Sequence, residues 1–199
     1  MKSETIEITG NRNNGERIKA LLIEDPDDNY IEATDKLWWV YRQRFINALR
    51  AAQKPVPGHH HWNWKWKLQQ EMNRNAFFKC FGIVCGGDPQ GLLLLNYGRE
   101  YKSRLPEQQG RPLVYLAYVE SAPWNIREYC GVPRYTGVGR EFFKATVRFS
   151  NRLGCEGRVG LHSLPGVENF YAESCKMIPV GSDPSYENLV YFETRPDIY

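Results

Sequence analysis

Paired cysteines, long apolar runs and an excess of one charge are all missing from this sequence, and each absence removes a class of protein. The five cysteines (Cys80, Cys85, Cys130, Cys155, Cys175) are odd in number and show no Cys-x-x-Cys spacing. That argues against both a disulfide framework and a structural zinc site. The leucine run Gly91-Leu92-Leu93-Leu94-Leu95 stops at Asn96, far short of the roughly 20 apolar residues that a membrane-spanning helix needs. Met1-Lys2-Ser3-Glu4 lacks the apolar core of a secretion signal, so a soluble, cytoplasmic protein without a membrane partner is expected. The formal net charge of +3 is mild. It permits an anionic cofactor or an RNA partner without requiring either. The chain also has no internal repeat and no low-complexity tract.

What is present is an ordinary globular composition, 42% apolar and 25% charged over 199 residues, which suits one domain spanning 1–199 with a sizeable core. Residues 4–9 and 18–24 read as strands around the polar Gly10–Gly15 connection, a hairpin. Asp25-Pro26-Asp27-Asp28 supplies helix-start chemistry. Trp38, Tyr41, Phe45 and Leu49 then recur at helical spacing, predicting one helix or two from Asn29 to about Gln53, with the aromatics facing the core. Pro55 and Pro57 end it. Phe77–Cys85 and Gly91–Tyr97 read as strands joined by a turn at Gly86-Gly87-Asp88-Pro89-Gln90. The stretch 101–111 reads as a loop, and 112–120 as a strand. Phe142, Ala145, Phe149 and Leu153 form the apolar stripe of a sheet-packed helix. The predicted class is mixed α/β (α+β): a central mixed, mostly antiparallel sheet flanked by helices.

The most informative stretch is Arg134-Tyr135-Thr136-Gly137-Val138-Gly139-Arg140, lying between the 112–120 strand and the helix of about 139–153. Two glycines two apart at the mouth of a helix let the backbone turn sharply and present free N–H groups. With the positive end of the helix dipole, those amides suit a phosphate or pyrophosphate. A plain tight turn is the competing explanation.

In this context Arg134-x-x-Gly137-x-Gly139 resembles the acyl-CoA pyrophosphate loop of the GNAT superfamily of N-acetyltransferases. The resemblance extends over about 112–193: a helix, a strand near Gly157–Leu164, a second helix carrying Asn169-Phe170-Tyr171, and a β segment near Asn188–Glu193. It divides the domain into N-terminal and acceptor-side segments (1–111) and an acyl-CoA-binding core (112–193). Three features depart from the family pattern. Ser121 to Pro133 is an inserted segment, the helix with Tyr171 ends Cys175-Lys176-Met177 rather than Gly-Phe, and Pro165 stands where many relatives have Asn.

The resemblance implies an acetyl-CoA-dependent N-acetyltransferase, with acetyl-CoA as co-substrate, no metal, and direct transfer to an amine in a ternary complex. Amine acylation requires a proton acceptor, stabilisation of the carbonyl oxygen and a proton for the departing thiolate. Glu120, at the end of the strand beside the pantetheine arm, is the candidate base; the competing reading is a carboxylate capping a solvated strand end. Tyr171 is the candidate acid, against a role in packing the helix on the sheet. The cofactor contacts carry over to Tyr118 and Val119 at the strand end and to Arg134, Tyr135, Thr136, Gly137, Val138, Gly139 and Arg140 in the loop. Lys144 and Lys176 are further candidates for the outer phosphates. Trp124 and Asn125, beside Glu120 in the insertion, are the candidate acceptor-side contacts. No cysteine has a paired histidine at readable spacing, so covalent catalysis is disfavoured.

His59-His60-His61-Trp62-Asn63-Trp64-Lys65-Trp66-Lys67 remains unabsorbed by that reading. Three adjacent histidines do not converge on one metal from a regular element. As a strand the segment sets three indoles on one face; as a helix it pairs Trp62 with Trp66. Core packing, an acceptor wall, or a base-stacking platform with Lys65 and Lys67 are the readings left open. The acceptor is a small-molecule or peptide amine, with a CoA-binding relative lacking catalysis and an RNA-directed (tRNA-acetylating or RNA-binding) protein as the alternatives.

Overall fold

The computed structural model describes residues 2–11, 15–56, 63–74 and 76–195. The chain divides into two units: Met1–Arg74, Cys80–Leu92 and Glu120–Gly139 form the first, and Asn75–Lys79, Leu93–Val119 and Arg140–Tyr199 the second. The architecture is mixed α+β, as expected, with nine strands among the described residues, mostly antiparallel, and flanking helices.

The first unit opens with β1 (Lys2–Gly10) and β2 (Glu16–Glu24), antiparallel with Ile6 opposite Ala20 and Ile8 opposite Ile18. Alternation places Ile6, Ile8, Ala20 and Leu22 inside. Then comes α1 (Asp28–Ala51), one helix rather than two, capped by Asp27, whose carboxylate accepts from Tyr30 N at 2.8 Å. Its buried stripe is Ile31, Thr34, Trp38, Arg42 and Ile46. This differs from the expected Trp38-Tyr41-Phe45-Leu49 stripe: Tyr41, Phe45 and Leu49 are only half-buried, and a charged residue takes an inward position.

Helix α2 (Trp64–Arg74) occupies the end of the Trp-rich segment and excludes the strand reading for 64–67. Asn63 accepts from Trp66 N at 2.7 Å. Asp35 of α1 takes two further free amides of the first turn, Trp64 N at 2.9 Å and Lys65 N at 2.8 Å, which a helix N-terminus needs. Strands β3 (Phe78–Cys85) and β4 (Asp88–Asn96) meet at Gly86 and Gly87, with φ of 61° and 83°. Two successive left-handed residues make the tight hairpin that glycine favours. Ladder neighbours in this unit run β6-β1-β2-β3-β4, where β6 is the two-residue strand Tyr135–Thr136, paired with Gly10 and Thr9.

In the second unit the neighbours run β4-β5-β7-β9-β8. Strand β5 (Val114–Ser121) lies parallel to β7 (Val159–Ser163); β9 (Leu189–Glu193) and β8 (Ile178–Asp183) follow antiparallel. The insertion is not an open loop. It folds into a 3-10 turn, Pro123–Asn125, and the single-turn helix α3 (Arg127–Cys130). Helix α4 (Val138–Arg152) buries Phe142, Phe143, Ala145, Val147 and Phe149. The apolar stripe read from the sequence is thus present and broader at Phe142, Ala145 and Phe149, whereas Leu153 lies past the helix end and is exposed. The expected second helix around Tyr171 is a π-helical turn, Phe170–Ser174.

Candidate active site

Glu120 is buried, which overturns the reading of a solvated strand end. Its carboxylate is held from both sides: Arg42 Nη2 of α1 donates to Oε1 at 2.7 Å, and Trp64 Nε1 of α2 donates to Oε2 at 2.7 Å. The Arg42 and Glu120 side chains are each only 3% exposed. Loss of hydration is the dominant influence and pushes the Glu120 carboxyl up to about 7, against the pull of Arg42, Trp64 and Lys67 toward the ionised form. Lys67, buried on α2, is brought down to about 8 by the same desolvation, opposed by Glu120 and Glu71. A cavity of about 430 Å3 lined by Glu32, Asp35, Lys36, Trp39, Arg42 and Lys65 adjoins the arginine.

The insertion forms a second knot in the same unit. Buried Gln90 accepts on Oε1 from Trp124 Nε1 (2.9 Å) and Asn125 Nδ2 (3.0 Å). Asn125 Oδ1 in turn accepts from Tyr135 N at 2.9 Å. Arg134 binds Asp88 at 2.9 Å and lies 5.2 Å over the Trp124 ring, which Tyr41 meets edge-on. Trp124 and Asn125 therefore direct their polar groups into the fold and onto the loop that starts at Arg134.

That loop is anchored by Asn11, which donates to Arg134 O through its backbone and to Pro133 O through its side chain. Gly137 follows at φ +90°, where a side chain is strained, and no atom lies within 4 Å of where its Cβ would stand. The chain then enters α4 at Val138. An open glycine cradle leading into a 15-residue helix fits an anionic group on the free amides. Gly139 and Arg140 lie in the first turn. Lys144 is ion-paired with Glu141 at 2.6 Å.

In the second unit, β5 and β7 share rungs only at Val114–Val159 and Tyr115–Gly160 among the described residues. Tyr118 and Val119 lie further along β5, past the last rung it shares with β7. Tyr171 packs its ring 6.0 Å from Phe192 of β9, and Phe192 stands opposite Leu161 of β7, one residue past the last shared rung. Burial raises the Tyr171 phenol well above its ordinary value, so it remains protonated.

Sequence reading missed Arg42 and Trp64 as partners of Glu120. A charged residue on the apolar stripe of α1 was the available signal. Of the Trp-rich segment, Trp64 and Lys67 are buried, Trp66 is 57% exposed, and Lys65 is paired with Glu32 at 2.8 Å. These positions do not form the row of indoles with flanking lysines that a base-stacking platform requires. His59 to Trp62 lie outside the described residues. Among the described residues no group of three or more His, Cys, Asp or Glu is placed to hold a metal ion, and no helix is long and apolar enough to cross a membrane. Burial raises the thiols of Cys130 and Cys155, and that of Cys175 to about 12.

No family model matches the sequence, and no curated protein matches it. Solved structures do match the fold. One is a Desulfovibrio desulfuricans protein assigned to the GNAT family of acetyltransferases, with a TM-score of 0.55 and 11% identity over 89% of this chain and 99% of that one. Another is a Corynebacterium glutamicum protein named for histone acetyltransferase HPA2 and related acetyltransferases, with a TM-score of 0.53 and 13% identity over 96% and 97%. The chain has the GNAT fold.

Proposed function

We propose that this protein is an acetyl-CoA-dependent N-acetyltransferase that moves the acetyl group directly to an amine. The observation that supports it most is the glycine cradle at Gly137, open and left-handed at the head of α4, within the GNAT fold. The amides from Gly137 to Arg140 hold the pyrophosphate of the acyl donor, where a Cβ at Gly137 or Gly139 would hinder close approach, while Tyr135, its own amide held by Asn125, leads the chain into that cradle. Strand β5 at Tyr118 and Val119, past its last rung with β7, runs along the donor's arm and offers an N–H to the developing oxyanion.

Glu120 takes the proton from the attacking ammonium, directly or through a water; a carboxyl held near 7 rather than near 4.5 is the better matched base at neutral pH. Tyr171 is the donor that returns a proton to the departing thiolate. Trp124 and Asn125 act in this scheme by fixing the loop at Arg134 and Tyr135, a different duty from the acceptor contact first expected of them. Thiols held in the protonated form by burial favour direct transfer over an acyl-enzyme. The acceptor is a small-molecule or peptide amine.

The test is calorimetric titration of acetyl-CoA into the wild type and into Gly137→Glu, whose fold is checked by circular dichroism. Binding by the wild type that the folded variant loses is the expected result. A folded wild type that takes up no acetyl-CoA removes the reading.

A further inference from the structure

Glu120 is secured by two donors of different character, and both come from helices. Arg42 stands two turns along α1 from Asp35, and Asp35 accepts the backbone N–H of Trp64 and of Lys65. Trp64 is thereby fastened at two points: its main chain to α1 and its indole N–H to Glu120. An indole N–H is a single donor on a rigid ring and does not titrate. The ammonium of Lys67 is itself brought down to about 8 by burial and changes charge near the working range. The remaining groups that act on the carboxylate are Asp35 of α1, which disfavours ionisation, and Tyr129 of α3, whose phenol is raised by burial and in part by Glu120.

We propose that Trp64 and Arg42 are positioning residues for Glu120: they fix one carboxylate oxygen each, leave the other lone-pair directions for the incoming amine or a water, and set the pH range over which the carboxylate is ionised. This rests on the reading of Glu120 as proton acceptor. A carboxylate offers about four acceptor directions, and the two donors occupy one on each oxygen. The two anchors differ in kind. Arg42 contributes charge as well as a hydrogen bond, whereas Trp64 contributes only the bond, so removing either raises the affinity of Glu120 for its proton and removing Arg42 raises it more.

The test is a carboxyl-carbon NMR titration of the full chain labelled at glutamate, with the Glu120 signal assigned through Glu120→Gln. Trp64→Phe keeps most of the ring and deletes the donor. Its Glu120 midpoint is expected to move to higher pH, leaving roughly tenfold less ionised carboxylate at a fixed pH below it. Arg42→Gln moves it further and Arg42→Lys less, while acetyl-CoA affinity by calorimetry stays unchanged in Trp64→Phe. An unmoved midpoint in folded Trp64→Phe and Arg42→Gln overturns the proposal and leaves both side chains as packing. If the midpoint moves but Glu120→Gln releases thiol from acetyl-CoA at the wild-type rate with a panel of primary amines, control of ionisation stands and the proton-acceptor reading falls.

Discussion

Each unit of this protein buries a carboxylate against an arginine, and the two carboxylates respond in opposite directions. In the first unit Glu120 faces Arg42, both side chains 3% exposed, and the acid is pushed up to about 7. In the second, Asp183 accepts from Arg104 at 2.6 Å, from His162 at 3.1 Å and from Ser185 N at 2.9 Å, and it is held down to about 2. Arg104 remains 47% exposed, so its charge keeps its hydration while it serves the aspartate. Arg42 has surrendered that hydration together with its partner. The contrast separates two uses of an ion pair. With three donors and one member in water, the pair fixes a charge. With both members dry, it leaves the charge balanced near neutrality, where proton transfer is useful.

The deepest test of that contrast is kinetic. Replacing Glu120 with Gln keeps the shape and hydrogen-bonding oxygen but removes the base, and the rate of acetyl transfer is expected to fall about 10²–10⁴-fold, read as thiol release at saturating donor and amine. A loss smaller than about threefold would place Glu120 with Asp183 as a structural acid.

Next in size is stability. Arg42→Leu strands a buried carboxylate and should cost about 3–5 kcal/mol at pH 8 by urea denaturation. At pH 5 the cost should shrink, because Glu120 can then take up a proton. The sign follows from a folded-state value near 7 against an ordinary 4.5: the native state is favoured by protonation below about 4.5, and that advantage is lost as pH rises through 7. Asp183 works the other way, stabilising above its ordinary 3.8 and losing that contribution only as pH falls through about 2. A cost for Arg42→Leu that is equal at the two pH values would erase the distinction.

The smallest effect sharpens it by control. Thr194 of the second unit accepts from Val159 N and donates to Gly157 O, each at 2.8 Å, and is wholly buried. Thr194→Val should cost about 1–3 kcal/mol and be flat between pH 5 and 8, since nothing at that position titrates. A pH-dependent loss there would show that the pH response is global rather than seated at Glu120.

Much of the frame was legible in the residues because it rests on local signals. The β1–β2 hairpin follows from alternation, the β3–β4 turn from Gly86-Gly87, and α4 from the spacing of Phe142, Ala145 and Phe149. Less legible were elements whose signal is weak or distant. Strand β6 has two residues, β8 contains Pro179 and Gly181, and α2 is dominated by Lys, Gln and Trp, without a clean apolar stripe. The site divides the same way. The Gly137 loop could be read from a short motif. The seat of Glu120 could not, because Arg42 reaches it across 78 positions and Trp64 across 56, and a lone arginine on a helix ordinarily lies in water. That Trp64 turns inward and Trp66 outward depends on the helical phase of α2, whose first-turn amides Asp35 holds from another helix.

The early parting of β5 and β7 also bears on how such a protein changes over time. A sheet normally stops pairing only at its margins; among the described residues β5 and β7 share no rung past Tyr115 and Gly160, inside the strand order. Main-chain N–H and C=O groups along such an inner margin recognise a partner by position rather than by side-chain identity. Substitutions along those strands can then accumulate with little penalty to the recognition itself. A chain that shares 11% of its residues with a GNAT-fold structure, yet matches 99% of that structure's length, shows how far residues can diverge while the fold is kept.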